Sequence, residues 1–399
     1  MNTSPRKRYG AALIRHFILI SLFFPAFYTK FQHVYYQDLS FMTIIALMLT
    51  CHILFKCRLD IYKHRYTVLL ITTALIAYLI TAVVNFKRYP VMFWRTEPLN
   101  ILIAVAFFLS LLLLRKETEI VSDGFIRFAM VAMTVHNVAA IIFRLYGGSK
   151  FYMQTFYYEF TKISETNRTF SWLYYDASEY ALILLLTMAF FLTYKRLFKN
   201  AYLYWGAQGT CILCMLLTNV SIYYLATLLL FGGDFLHRFL QNREDLHKYL
   251  PYSYPVITFI YGVGLFLLTR TVDAFRTKAL IWRSALNLLR ETPEGMFVGF
   301  GVLTIPVPGI EAPVVQAQNT FLNHMLRHSL WTGVVFTILI ATILILTFLK
   351  KPNLRSLCIL LAILLPIILD FGLQTLHLPY VLFLLYTIFY RKGEKNHAL

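Results

Sequence analysis

Three arginines, Arg276, Arg283 and Arg290, recur every seven residues and share one side of a helix. The apolar positions Phe275, Leu280, Ile281, Ala285, Leu288 and Leu289 define another side of it. A guanidinium fork can hold phosphate oxygens in a bidentate grip and stabilise growing negative charge without a metal. Downstream, Asn319, Asn323 and Arg327 fall four residues apart on one face of the next helix. Beside them, Gln318 offers an amide that could orient a hydroxyl, although it cannot take a proton. His324 and His328, also four apart, are the nearest groups that could act as a base, with Asp273 and Glu311 as further acidic choices. Between the two helices, Pro293, Gly295, Gly299, Gly301, Pro306, Pro308, Gly309 and Pro313 rule out regular helix. The whole stretch, Arg270 to Gly333, is the one long polar interruption in an otherwise apolar sequence.

The elements that must carry it are membrane spans. Of 399 residues, 59% are hydrophobic and 14% charged, which excludes a soluble enzyme with a single anchor. About twelve apolar runs approach the twenty residues needed to cross about 30 Å of hydrocarbon. They lie near 11–29, 39–56, 66–86, 98–114, 124–146, 174–194, 201–218, 220–237, 251–269, 320–349, 355–372 and 378–390. The expectation is an all-α polytopic protein, residues 1–399 forming one membrane domain, with a long outer loop at 270–319 and a second at 147–173. The apolar run after the basic N-terminus lacks a small-residue cleavage site and reads as a retained first span.

Net charge +18 would point to nucleic acid in a soluble protein. Here much of it falls in short loops: Lys56, Arg58, Lys63 and Arg65; Arg115 and Lys116; Lys195, Arg196 and Lys199; Arg238, Arg243 and Lys248; Lys350, Lys351 and Arg355; Arg391, Lys392 and Lys395. The positive-inside rule places these loops and both termini in the cytoplasm and removes the case for nucleic acid. The opposite face then holds Arg88, Arg95, Arg144, Arg168, Arg270, Arg276, Arg283, Arg290 and Arg327, which the rule does not explain. Some of these can snorkel to lipid phosphates. An aromatic cluster from Phe151 to Tyr175 suits either an interfacial belt or stacking on sugar rings. His136-Asn137, Glu179 and Asp370 fall within or near the ends of spans and read as supporting polar groups. The five cysteines lie in or beside apolar runs and read as small core residues.

The order Arg276, Trp282, Ala285-Leu286, Pro293, Gly299, Gly301, then the polar dipeptide Gln318-Asn319 opening a helix that contains Gly333, resembles a known family. It is similar to the large extracytoplasmic loop of the O-antigen ligase and O-antigen polymerase superfamily, bacterial membrane glycosyltransferases that act on undecaprenyl-diphosphate-linked glycans. Arg168 and Asp176 resemble the family's Arg…Asp-Pro-Asn element, with Ala177-Ser178 in place of Pro-Asn. Ligases carry His-Asn where this chain has Gln318-Asn319, and Ser-Arg where it has Ser221-Ile222. Both departures point from ligase toward a polymerase-like member.

The resemblance implies a GT-C-like fold in the bacterial plasma membrane. It implies polymerisation of lipid-diphosphate-linked repeats of an O-antigen, capsule or exopolysaccharide on the outer face. Arg276 and Arg168 would stabilise the departing diphosphate, with Arg88, Arg95 and Arg283 behind them; Trp282, Asn319 and Asp176 would bind substrate, and Gln318, His324 or His328 would serve the acceptor. No nucleotide-binding loop, HExxH helix or DxD-type pair occurs on the outer face, so the expected reaction takes no metal and no cofactor. Membrane lipids, a chain-length regulator and a flippase of the same pathway are the implied partners. The alternatives are ligation of finished glycan to lipid A core or another acceptor, and a lipid-linked-oligosaccharide flippase.

Overall fold

The computed structural model describes residues 5–25, 40–88, 93–116, 120–146, 170–174, 177–241, 250–292, 297–300, 305–309, 314, 317–370, 373 and 377–391. Among these the chain is all-helical, and its pairings outside helices are two isolated bridges, Leu59 with Leu114 and Ile305 with Val314. Fourteen α-helices run in order: α1 Pro5–Phe23, α2 Phe41–Lys56, α3 Arg65–Arg88, α4 Phe93–Leu113, α5 Asp123–Tyr146, α6 Ala177–Thr193 and α7 Ala201–Thr218. They continue as α8 Ser221–Gln241, α9 Leu250–Thr271, α10 Asp273–Glu291, α11 Thr320–His328, α12 Leu330–Lys350, α13 Leu354–Leu369 and α14 Leu378–Leu385, the last continuing as a π turn over Tyr386–Tyr390.

Several starts are written locally. Ser40, Asn200, Asn319, Ser329 and Asn353 each accept a hydrogen bond from the backbone N–H three residues on, satisfying one of the orphan donors of a first turn. Ser329 also marks where the structure departs from the expected tenth span. Residues 320–349 do not form one helix; they break into α11 and α12, with Ser329 Oγ accepting from the Thr332 N–H at 3.1 Å. The expected stretch after residue 329 is uniformly apolar, whereas α11 alternates polar and apolar faces and packs as a separate amphipathic piece.

Among the described residues, four helices are long and apolar enough to cross a membrane, over Arg65–Val83, Asp123–Leu145, Tyr254–Thr271 and Leu330–Lys350, and six further apolar helices are shorter. The chain is a membrane protein by this measure.

Chain packing divides the molecule into two compact units, residues 1–69, 95–220 and 374–399, and residues 70–94 and 221–373. In the first, α6 is buried along nearly its whole length, as its all-round apolar sequence requires. Arg391 is buried too: its Nε donates to the Val121 carbonyl at 2.9 Å, it pairs with Asp123, and its guanidinium lies 5.5 Å from the Tyr194 ring centre. Charge counting had set it among the solvent-facing loop cations; the fold makes it a clasp between the ends of α14 and α5.

In the second unit α8 packs on α13 so closely that a side chain on Gly233 would run into Cys358. Asp234 is buried one residue later, and pairs with Arg238 at 2.6 Å and Arg355 at 3.1 Å. This unit contains α10 and α11, and with them most of the residues singled out for chemistry.

Candidate functional site

The site is built on α10. Ile281, Ala285 and Leu289 enter a core with Ile305, Val307, Ala317, Leu322 and Leu326, against which Trp282, Phe300, Val314 and Met325 pack. Each fully buried Ile or Leu in such a core contributes about 1.5–3 kcal/mol. Phe275 is buried as expected, whereas Leu280 is exposed on the helix flank. The opposite face carries Arg276, Arg283 and Arg290, all exposed, in a row with a pitch of about 10.5 Å.

What fixes this helix is a hydrogen-bonding problem elsewhere. The last carbonyls of α13 have no partner within that helix. Lys278 of α10 donates to the Leu369 carbonyl at 2.7 Å and lies 3.6 Å from the Asp370 carboxylate. Asn319 donates its Nδ2 to the Ile368 carbonyl at 2.8 Å, while its Oδ1 caps α11 by accepting from Leu322 at 2.9 Å. Two sequence-distant segments are thereby docked on one helix end.

The connection between them is shaped by close approach. Gly299 has φ 78°, and a side chain there would come within 2.5 Å of the Arg327 carbonyl oxygen; the next residue, Phe300, donates to the Leu326 carbonyl at 2.7 Å. Gln318 is half-buried and also has a left-handed backbone, φ 49°. Asn323 is buried and accepts from the Ala317 N–H at 2.7 Å. At Gly333 an added side chain would reach within 2.6 Å of the Met325 backbone, so the loss of side chain there is what lets α12 fold back on α11.

His324 and His328 are buried within the second unit, each 4% exposed, with His328 the last residue of α11. Their rings are 4.3 Å apart, His324 also stacks on Phe336 at 4.2 Å, and its Nε2 is 3.3 Å from the Tyr78 hydroxyl. The indole N–H of Trp282 is buried and makes no hydrogen bond among the described residues.

The fold therefore gathers Arg276, Trp282 and Arg283 on one helix, with Gln318, Asn319, His324 and His328 on the segment and helix packed beside it. It gives Asn319 a capping and docking duty that spacing alone did not disclose. Arg88 ends α3 and Arg95 lies in the first turn of α4, both placed by their backbone alone, as is Asp273 at the start of α10. Arg168, Asp176 and Glu311 lie outside the described residues. Sequence reasoning missed Lys278 and His377, and treated Asp370 and Glu179 as supporting groups. Asp370 at the end of a span was the signal for the first pair; nothing in the spacing marks His377.

Chemically, an exposed row of guanidinium groups on an immobilised helix can hold phosphate oxygens, whereas the Trp282 indole N–H is buried against the core and does not face that row. Compared with models of known protein families and with curated proteins, the chain matches none.

Proposed function

We propose that the chain is a membrane glycosyltransferase that lengthens lipid-diphosphate-linked oligosaccharides on the outer face of a bacterial plasma membrane. The observation that carries this reading is the row Arg276, Arg283 and Arg290, exposed on a helix that Lys278 and its own buried face hold in place. A surface arginine row on a loose helix would serve any anion. One whose azimuth is fixed can favour the transition state, in which charge grows on the departing diphosphate as the glycosidic bond breaks.

About twelve spans, both termini in the cytoplasm and the loop 270–319 outside are parts of the same proposal, supported by the distribution of loop cations. Arg276 is the first contact to the diphosphate and Arg283 the next along the row. Arg168, Arg88 and Arg95 remain proposed contacts on the strength of the family resemblance. Gln318, half-buried beside the docked Asn319, is the proposed acceptor-orienting group, since an amide can hydrogen-bond a hydroxyl and cannot deprotonate it.

The test is reconstitution. Full-length protein in vesicles, given lipid-diphosphate-linked repeat units alone, lengthens them without added metal or nucleotide sugar, and EDTA leaves the rate unchanged. Transfer of one finished glycan to a separate acceptor without lengthening would make it a ligase. Passage of the lipid across the vesicle without new glycosidic bonds would make it a flippase.

A further inference from the structure

In the connection between α10 and α11, two residues with a left-handed backbone are glycines, Gly299 with φ 78° and Gly309 with φ 82°. Glycine takes that conformation without steric cost, because it has no Cβ to crowd the carbonyl that follows. The third left-handed position among the described residues of the second unit is Gln318, with φ 49°. Asparagine eases such a position by hydrogen-bonding locally through its short side chain, and glutamine is too long to do the same. A glycine at 318 would turn the chain the same way with less strain. Strained backbone persists only where the surroundings over-determine it, and it collects at functional sites.

What over-determines Gln318 is Asn323. Its side-chain Oδ1 accepts from the Ala317 N–H at 2.7 Å, and its own backbone N–H donates to the Asn319 carbonyl at 2.9 Å. One residue in the opening turn of α11, itself 4% exposed, therefore grips the chain on both sides of Gln318. Asn319 adds a second hold by donating its Nδ2 to the Ile368 carbonyl at 2.8 Å. Starting a helix needs less than this, since the Asn319 side chain already caps α11 and Ala317 lies two residues outside the cap. The buried Ala317 N–H does need a partner, which Asn323 supplies. That need does not account for a glutamine, in place of a glycine, between the two grips.

We propose that Asn323 is a positioning residue, which fixes the left-handed turn at Gln318 and so aims the Gln318 amide at the acceptor hydroxyl; this rests on the glycosyltransferase reading above. Asn323 is buried and acts through Gln318, which is only half-buried and belongs to the same unit as the arginine row. An amide offers one accepting oxygen and two N–H donors, either of which a sugar hydroxyl can use. Held at one azimuth, it limits the directions from which that hydroxyl approaches the anomeric carbon, and orientation of this kind lowers a barrier without moving a proton.

The experiment is a double-mutant cycle on the reconstituted full chain. Lengthening of lipid-diphosphate-linked repeats and the thermal midpoint are measured in wild type, Gln318→Gly, Asn323→Ala and the double variant. Gln318→Gly removes the amide and the strain together, so turnover falls by about tenfold to a hundredfold while the thermal midpoint stays at or above that of wild type. Asn323→Ala lowers turnover by a similar factor and keeps KM within a few-fold, since the arginine row still holds the diphosphate. In the double variant the two losses do not multiply, and turnover matches that of Gln318→Gly alone. Losses that multiply would make Asn323 a general support of the fold and overturn the proposal, as would wild-type turnover in Gln318→Gly; both results leave the glycosyltransferase reading intact. Wild-type protein that lengthens nothing would overturn both. Should Asn323→Ala fail to fold, hydrogen exchange at the Ala317 amide of wild-type protein reads the clamp: exchange as slow as that of the α11 amides supports it, and free exchange overturns it.

Discussion

Lys278 places its ammonium 2.7 Å from the Leu369 carbonyl oxygen and 3.6 Å from the Asp370 carboxylate, and through that contact α10 takes its azimuth from the end of α13. Hydrogen bonds to charged groups contribute about 1.5–3 kcal/mol. Lys278→Ala should therefore lower the thermal midpoint of purified protein by several degrees. Asp370→Asn should cost less, because the carbonyl contact survives. Equal losses from both substitutions would mean that the ion pair and not the helix end is the dock.

The glycines of the loop make a graded prediction. Gly299 combines φ 78° with backbone 2.5 Å from an added side chain, whereas Gly309 has φ 82° with open space around it. Strained backbone costs about 1–3 kcal/mol, and at Gly299 the collision with Arg327 adds to it. Gly299→Ala should disrupt folding or abundance, and Gly309→Ala should produce folded protein with a modest loss. Fluorescence size-exclusion profiles of the two variants, run side by side, check the order; a reversal would show that the loop does not close on α11 in this way.

How much of this was legible follows from range. Helix limits such as 201–218 could be read because an apolar run ends where Asn200 caps its start and Asn219 turns left-handed after it. The docking of α10 could not, because Lys278 and Asn319 meet carbonyls 91 and 49 positions away, and carbonyls carry no sequence signal. The break at Ser329 was hidden for a related reason: its consequence depends on Gly333 packing against Met325, a contact between two helices and not a propensity of either. In the candidate site the arginine row was legible from its seven-residue period, while the burial of His324 and His328 depended on Tyr78 and Phe336 reaching them from elsewhere in the chain.

Arg355 illustrates a loop cation with a structural duty. It lies 3.1 Å from Asp234, a buried carboxylate that also holds Arg238 at 2.6 Å. Arg355→Ala leaves that carboxylate with one partner and should reduce stability, while turnover per folded molecule stays near wild type. A fall in turnover at unchanged stability would assign Arg355 to function instead.

Topology can be read without activity. Two of the four membrane-length helices, α9 and α12, separate residues 245, 300 and 353. Reporter fusions at 245 and 353 should report the cytoplasm, and one at 300 the opposite side. If 245 and 300 report the same side, α9 does not cross and the arginine row faces the wrong compartment.

The central claim is that Arg276 stabilises the departing diphosphate, and glycan chain length on cells making each variant at matched protein abundance tests it most directly. A contact of about 1.5–3 kcal/mol that strengthens in the transition state corresponds to a loss of about tenfold to a hundredfold in turnover. Arg276→Ala should therefore collapse the ladder to short products. Arg276→Lys should restore it in part, since an ammonium keeps the charge and loses the fork. Lys199→Ala, exposed between α6 and α7, should leave it unchanged. A normal ladder from Arg276→Ala would contradict the account.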